Sequence, residues 1–219
     1  VVEIELVNYF IKGNIALTKV DEDYPDNKLS GAVFEVYSDT NGDGKLDKDD
    51  TLLGEMKELD GGVYQMSELR YGKYLVKETK APTGFVLDEN VYAVSIEENG
   101  KTYTVENKAG VGFINAAQKG SLKIVKTSSD GKVEGFSFRV TGVDYDQTFK
   151  TDKNGEIVIE GLRIGDYTVS EVNDKASAGY ILPADKQATV KVNATAIVQM
   201  HNEFRDTPKT GDDFNLGLW

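Results

Sequence analysis

Hydrophobic and polar residues alternate along most of the chain, as they do in strands that bury one face. From residue 13 to residue 118 the alternating runs are NIALTKV, GAVFEVYS, TLLGEM, GVYQMSEL, GKYLVKET, VYAVSIEE, KTYTVEN and VGFINAA. Gly, Asn, Asp and Pro separate the runs, and these residues favour turns. No stretch has the period of a long amphipathic helix. The pattern therefore predicts an all-β fold, an antiparallel β-sandwich of the Ig-like kind.

The same order of runs returns between residues 119 and 206, as SLKIVKT, FSFRVTG, QTFKT, GEIVIEGL, GDYTVSEV, QATVKV and AIVQMHNEF. Repetition at this spacing indicates tandem domains. We therefore predict two β-sandwich domains, residues 13–118 and residues 119–206. We expect residues 1–12 to be the last strand of a preceding repeat, which makes the chain a piece of a longer protein. Residues 207–219 differ in composition and are predicted to be a tail.

One phrase recurs at the start of each predicted domain. VNYFIKGNIALTK opens the chain and INAAQKGSLKIVK stands at its centre, with the same spacing between Asn, Lys, Gly and a final Lys. Alternate residues of a strand share a face. The final lysines, Lys19 and Lys126, therefore lie on the same face as the apolar residues before them and should point into the core.

The same parity places a glutamate and an asparagine inside each domain. The inward polar residues are Lys19, Glu78 and Asn115 in the first domain and Lys126, Glu171 and Asn202 in the second. One interpretation is a buried ion pair beside a hydrogen-bonded amide, because unpaired buried polar groups are costly. The other is that the groups react with each other. Occurrence of the same trio in both domains favours the second interpretation.

Burial favours the uncharged forms, since it lowers the pKa of a lysine and raises that of a glutamate. A neutral lysine amine can attack an asparagine carboxamide, release ammonia and form an isopeptide bond, while the glutamate transfers the proton. The reaction occurs once per domain and is self-crosslinking, not turnover. In the first domain Asn107 is an alternative partner for Lys19, because VEN also ends a strand. The repeat register favours Asn115.

Composition narrows the choice of partners. The net charge of −12 argues against binding to nucleic acid or to an anionic membrane surface. The chain has no cysteine, so disulfides cannot stabilise its small domains. In an extracellular protein made of such small domains, a covalent bond of another kind could take the place of disulfides. No apolar run reaches the roughly 18 residues of a membrane span.

The segment DTNGDGKLDKDD has the spacing of a calcium-binding loop. Oxygen ligands stand at loop positions 1, 3, 5, 9 and 12, Gly44 stands at the turn position 6, and Lys45 would offer its carbonyl at position 7. The predicted ligands are Asp39, Asn41, Asp43, Lys45, Asp47 and Asp50. The flanking runs are strands, unlike the helices of an EF-hand, and the alternative is a solvated turn. We expect a structural Ca²⁺ ion here.

KYLVKETKAPTGF resembles the glutamate box of the Cna B-type (SpaA-type) repeats, which have a prealbumin-like fold and occur in collagen adhesins and pilins of Gram-positive bacteria. The resemblance covers nearly the whole chain. It implies a Lys19–Asn115 bond promoted by Glu78 and a Lys126–Asn202 bond promoted by Glu171. The second box, SEVNDKASAGY, departs from the pattern, since it lacks the Ala-Pro pair.

The tail contains TPKTG, which resembles the LPxTG sorting signal of sortase substrates, with Thr in place of Leu. The resemblance implies cleavage between Thr210 and Gly211. The Thr210 carboxyl would then be joined to peptidoglycan or to a lysine of a neighbouring pilin subunit. It also implies an extracellular, cell-wall-anchored protein that is a substrate of sortase.

These observations predict a structural stalk of a surface adhesin or pilin, with any host ligand bound through preceding domains. The alternative is a ligand-binding adhesin module that itself recognises host matrix or carbohydrate. An enzyme is disfavoured, because the buried trios are the one catalytic constellation in the sequence. His201, the single histidine, has the opposite parity to Asn202 and is predicted to lie on the surface.

Overall fold

A computed structural model describes residues 8–205 of the chain. These residues form strands, turns and loops, and none of them forms an α-helix. Accordingly, no helix in this range is long and apolar enough to span a membrane. The internal contacts divide the chain into two compact domains between Gln118 and Lys119. The predicted all-β fold with two sandwich domains is confirmed.

The first domain contains nine strands. They are β1 Lys12–Asp21, β2 Val33–Ser38, β3 Thr51–Glu55, β4 Lys57–Glu58, β5 Val63–Arg70, β6 Gly72–Lys80, β7 Val91–Ile96, β8 Thr102–Thr104 and β9 Phe113–Asn115. One sheet has the order β4-β5-β1-β8, and β9 also pairs with β1. The other sheet has the order β3-β2-β6-β7. The glutamate box thus lies in the second sheet, opposite the lysine strand.

The second domain repeats this arrangement with eight strands. They are β10 Lys119–Ser128, β11 Ser137–Gly142, β12 Tyr145–Lys150, β13 Glu156–Arg163, β14 Gly165–Glu171, β15 Tyr180–Ile181, β16 Lys186–Val190 and β17 Thr195–Phe204. The sheet orders are β13-β10-β17-β15 and β12-β11-β14-β16. The last strand is continuous here, whereas in the first domain the segment between β8 and β9 interrupts it.

The first and last strands of each domain pair in parallel, unlike the other strand pairs. β1 runs parallel to β8 and β9, and β10 runs parallel to β17. In both domains the lysine lies opposite the residue two positions before the asparagine: Lys19 opposite Phe113, and Lys126 opposite Met200. Because alternate residues share a face, this register brings each asparagine to the same face as its lysine.

The core confirms the alternation read from the sequence. Ile15, Leu17 and Lys19 are buried along β1, and Leu122, Ile124 and Lys126 are buried along β10. Phe34 packs edge-to-face against Tyr64 and Phe113, with ring centroids 5.2 and 4.9 Å apart. Each lysine therefore enters a buried, mostly apolar interior.

The glycine of the recurring phrase has a steric role. Gly13 and Gly120 each lie where the register of the first strand shifts. A Cβ atom at residue 13 would lie 2.8 Å from the carbonyl oxygen of Lys101, and one at residue 120 would lie 2.2 Å from that of Lys191. Both distances are shorter than contact between backbone and side-chain atoms allows, so each position requires glycine.

Two predicted boundaries fall at or beyond the edge of the described range. Residues 8–11 take no regular structure, Asn8 is exposed, and Lys12 is already the first residue of β1. The rest of the predicted preceding strand, residues 1–7, and the tail, residues 207–219, lie outside the described residues.

Gly13→Ala should destabilise the first domain by about 1–3 kcal/mol, because the added methyl group forces the backbone of Lys101 away from β1. Gly61→Ala is the matched control, since its Cβ would meet its nearest neighbour at 3.8 Å. Chemical denaturation of the two variants gives the comparison. Equal stability of the two variants would contradict the steric account.

Candidate functional site

The predicted trio of the first domain meets in the core. Lys19 comes from β1, Glu78 from β6 and Asn115 from β9, and their exposed fractions are 0%, 0% and 3%. The Lys19 amine donates a hydrogen bond to Oδ1 of Asn115. Asn115 Nδ2 donates to Glu78 Oε2 at 2.8 Å and to the Val86 carbonyl at 2.6 Å. The amide thus lies between the amine and the carboxyl group.

The second carboxyl oxygen completes the arrangement. Glu78 Oε1 lies 3.9 Å from Lys19 Nζ and has no hydrogen-bond partner. The Lys19 amine also donates to the carbonyl of Phe113 at 3.0 Å and lies 5.0 Å from the centre of that ring. The amine is therefore confined between its strand neighbour, the amide and the carboxyl group.

Burial moves both ionisable groups toward their uncharged forms. Burial lowers the pKa of Lys19 to about 8, although nearby carboxylates, that of Glu78 first, act in the opposite direction. Burial also raises the pKa of Glu78, against the hydrogen bonds that Asp88 and Asn115 donate to it. A neutral amine beside a protonated acid is the combination that attack on a carboxamide requires.

The contacts fit a simple exchange of bonds. The lysine nitrogen can attack the side-chain carbonyl carbon of Asn115, and the amide nitrogen, which already donates to Glu78, can take a proton and leave as ammonia. One C–N bond forms and one breaks, so no oxidant or cofactor is needed. Such a reaction would join β1 to β9.

The second domain assembles part of the same site. Asn202 and Lys126 are buried, Glu171 is half-buried, and Asn202 Nδ2 donates to Glu171 Oε1 at 2.7 Å. The Lys126 amine, however, donates to the carbonyl of Thr127 and lies 4.1 Å from the centre of the Phe136 ring. The asparagine and glutamate are thus in place, while the lysine is directed elsewhere.

Two buried oxygens in this domain have no hydrogen-bond partner, namely Asn202 Oδ1 and Glu171 Oε2. Their counterparts in the first domain face the lysine amine. Burial lowers the pKa of Lys126 and raises that of Glu171, as it does for the first pair. Rotation of the Lys126 side chain toward Asn202 Oδ1 would give this domain the arrangement of the first.

Asn107, the alternative partner for Lys19, uses its amide for other contacts. Its Oδ1 accepts from the backbone N–H of Ile114 at 2.6 Å. Its Nδ2 donates to the carbonyl of Ile114 at 2.9 Å and to Asp88 Oδ2 at 2.8 Å. The amide in contact with Lys19 is that of Asn115.

The family model of the SpaA prealbumin-like fold domain matches residues 13–109 and 120–204. The chain belongs to this family. Each of its two domains is one SpaA-type domain, and each match includes the lysine and the glutamate of its trio. The second match also includes Asn202, while the first ends before Asn115. No curated protein matches the chain at a significant level.

The solved structures that are similar to this chain include proteins of several bacteria. The Bacillus anthracis TIE protein is similar with a TM-score of 0.65 and 26% identity, over 89% of this chain and 34% of that one. The C-terminal fragment of the pilus adhesin SpaC from Lactobacillus rhamnosus GG gives 0.52 and 14%, over 91% and 99%. The minor pilin GBS52 of Streptococcus agalactiae gives 0.39 and 17%, over 90% and 98%. The chain thus spans about a third of the TIE protein's length.

Sequence reasoning missed two loop groups that contact the trio, the Val86 carbonyl described above and the backbone N–H of Asp88. The backbone N–H of Asp88 donates to Glu78 Oε2 at 2.8 Å. Asp88 lies in the loop between β6 and β7, where no alternation of residues indicates which groups point inward. The separation of ten residues between Glu78 and Asp88 is not a pattern that predicts this contact.

The acidic loop of the first SpaA-type domain is closed by its own hydrogen bonds. Asp39 accepts from the N–H groups of Gly42 at 2.7 Å and Gly44 at 3.1 Å, and both glycines have positive φ angles, +74° and +77°. Asp50 accepts from the N–H groups of Thr40 at 3.1 Å and Asp47 at 2.9 Å. The turn that the sequence predicts at Gly44 is therefore present.

The remaining predicted ligands also bond within the loop. Asn41 Oδ1 accepts from the N–H of Asp43, Asp43 Oδ1 accepts from that of Lys45, and Asp47 accepts from Asn41 Nδ2. Among residues 8–205, no group of three or more His, Cys, Asp or Glu side chains is arranged to hold a metal ion. Calcium binding by the predicted ligands stays a prediction from the sequence.

Of the two remaining predictions, the sortase cleavage site and the position of His201, the structure describes only the second. Thr210 and Gly211, the predicted sortase cleavage site, lie outside the described residues. His201 is exposed, with Nδ1 2.8 Å from Thr127 Oγ1 and Nε2 3.1 Å from Glu203 Oε1. The surface position expected for His201 is therefore observed.

The rate of the first crosslink should depend on pH through both partners. The reactive pair is neutral lysine with protonated glutamate. Above the Lys19 pKa of about 8 the lysine is already neutral, while each further pH unit lowers the protonated fraction of Glu78 about tenfold. The rate should therefore fall about tenfold per pH unit in this range. Below the raised pKa of Glu78 the rate should also fall, because Lys19 keeps its proton while the carboxyl group is already neutral. Unreacted chain refolded by dilution at each pH, with its mass followed in time, measures the rate. A rate that still rises at pH 10 would contradict the acid role of Glu78.

If the acidic loop binds Ca²⁺, the ion should stabilise the first domain by about 2.7 kcal/mol at a hundred times its dissociation constant. Asp39→Ala should abolish the effect, whereas Asp60→Asn, an exposed carboxylate outside the loop, should leave it unchanged. Thermal unfolding with added calcium makes the measurement. A melting temperature that calcium does not change would reject a structural ion.

Proposed function

We propose that this chain is part of the structural stalk of a cell-wall-anchored surface adhesin or pilin, and that each domain is stabilised by an autocatalytic Lys–Asn isopeptide bond. The bonds are Lys19–Asn115 and Lys126–Asn202, promoted by Glu78 and Glu171. The protein forms each bond once and acts on no other substrate. Its role is mechanical, holding a distal domain away from the cell wall.

The contact between the Lys19 amine and the Asn115 amide carries this proposal. Three polar side chains, each at most 3% exposed, meet in the core of a SpaA-type domain. A buried charge that is not compensated costs several kcal/mol. Conversion to a neutral amide removes that cost and leaves a bond that does not reverse on unfolding.

The parallel pairing of terminal strands suits a load-bearing role. In β10 and β17 the chain enters at one end of the pair and leaves at the other. Tension on the two chain ends therefore slides the strands past each other. A Lys126–Asn202 bond would stop that movement, since it joins the strands near the end at which the chain leaves.

The attachment to the cell surface is proposed from the tail. TPKTG follows directly after the second domain and resembles the LPxTG signal of sortase substrates. Sortase would cleave after Thr210 and transfer its carboxyl group to peptidoglycan or to a neighbouring pilin subunit. The likeness in fold to a pilus adhesin fragment supports an extracellular, pilus-associated location.

Intact-protein mass spectrometry tests the crosslinks. Each bond releases one ammonia, so the folded protein should weigh about 34 Da less than its sequence, or about 17 Da per bond. Glu78→Ala should restore one increment, because the first pair then lacks its acid, and Glu171→Ala should restore the other. Glu160→Ala, an exposed glutamate on β13, is the matched control and should keep both bonds. A wild-type mass equal to the sequence mass would reject the proposal.

A further inference from the structure

Asn107 occupies the place of a missing strand. β9 has only three residues and pairs with β1 on one side. On the other side, the N–H and the C=O of Ile114 both bond to the side-chain amide of Asn107, at 2.6 and 2.9 Å. A carboxamide carries the same donor and acceptor as a peptide group. The side chain therefore pairs with Ile114 as a neighbouring strand would.

The second Nδ2 hydrogen of Asn107 extends this pairing to Asp88. Asp88 Oδ2 accepts from Asn107 at 2.8 Å and from the hydroxyl of Tyr92 at 2.7 Å. Asp88 Oδ1 accepts from the backbone and side chain of Asn90, at 2.9 and 2.7 Å. Asn107 is thus held by a carboxylate that three other hydrogen bonds fix in place.

The contacts close into a ring. The backbone N–H of Asp88 donates to Glu78 Oε2, which also accepts from Asn115 Nδ2. Asn115 follows Ile114 in β9, and Ile114 returns to Asn107. The ring therefore connects the amide that is attacked to the carboxyl group that supplies the proton, through side chains that do not react.

The position of β9 needs such support. The turn before it, residues 106–112, interrupts the last strand, and Gly112 lies so close to β1 that a Cβ would be 2.8 Å from the Thr18 carbonyl. In the second domain Asn202 sits on a ten-residue strand that pairs with β10 over eight consecutive positions. The described part of that domain has no turn inside its last strand, and its asparagine is positioned by the ladder itself.

We propose that Asn107, anchored by Asp88, is a positioning residue for the first crosslink: it aligns β9 so that the Asn115 amide meets both Lys19 and Glu78. The inference rests on the proposed crosslinking function. Asn107 touches none of the reacting atoms and acts through Ile114 and Asp88. Displacement of a reacting group by about 1 Å is enough to slow a reaction of this kind a hundredfold.

Two variants separate positioning from general stability. Asn107→Ala removes all three hydrogen bonds. Asn107→Asp keeps the size of the side chain and the acceptor for the Ile114 N–H, but removes both donors and places a second carboxylate beside Asp88. Each variant is made in Glu171→Ala, where only the first crosslink can form, and in Glu78→Ala, where only the second can form.

The chain is refolded from denaturant and its loss of ammonia is followed by mass spectrometry. In the Glu171→Ala background we expect both variants to slow the first crosslink at least about tenfold. In the Glu78→Ala background, the matched control, the second crosslink should keep its rate. Melting temperatures of the uncrosslinked Glu78→Ala proteins show how far each variant destabilises the first domain.

The outcomes distinguish the two proposals. If Glu171→Ala alone never loses ammonia, the crosslinking function of the first domain is wrong. If it does, and Asn107→Asp reacts within twofold of it at a temperature where both are folded, the positioning role is overturned. The same rate with a lowered melting temperature would show that Asn107 stabilises the domain without positioning the amide.

Discussion

Parallel pairing of the first and last strands is the constraint on which each domain depends. It sets the lysine opposite the residue two positions before the asparagine, in both domains. Because alternate residues of a strand share a face, the lysine and the asparagine point to the same side as the buried apolar residues of their strands. The facing sheet contributes the glutamate, from β6 in the first domain and from β14 in the second. A shift of one residue in this register would turn the asparagine to the surface and leave the lysine without a partner.

The low dielectric of the core favours the reaction that we propose. Water would keep the amine charged and the carboxyl group ionised, and neither form promotes amide exchange. Burial shifts the pKa of Lys19 down and that of Glu78 up, so the interior favours the reactive pair. The same burial lowers the stability of the folded domain for as long as the trio is unreacted. In this account a cysteine-free domain uses its own core to form the covalent link that a disulfide would otherwise provide.

The two domains differ in how far each site is assembled. In the first, Lys19 already donates to its asparagine, and a hydrogen-bonded ring through Asp88 and Asn107 supports the amide. In the second, Lys126 donates to the Thr127 carbonyl, and Asn202 Oδ1 has no partner. A continuous last strand thus does not by itself aim the lysine. The second domain is also the one whose glutamate box departs from the family pattern, since it lacks the Ala-Pro pair.

Alternation and repetition were enough to predict the two sandwiches and the burial of Lys19, Glu78, Asn115, Lys126 and Asn202, because a period of two fixes which side chains face inward. Glu171, which the same pattern placed in the core, is half-buried. The two patterns could not predict the parallel pairing of the terminal strands, which depends on how the sheets close. They also missed Asp88, which acts through a backbone N–H in a loop, and the strand-like role of Asn107, which depends on the turn before β9. The short strands β4 and β15 were missed because two residues carry no period.

Peptide mapping of the folded protein by tandem mass spectrometry would detect the crosslinks themselves. After complete digestion, we expect branched peptides in which Lys19 is joined to Asn115, and Lys126 to Asn202, each lacking one ammonia. Recovery of these four residues in separate, unmodified linear peptides would contradict the crosslinking proposal.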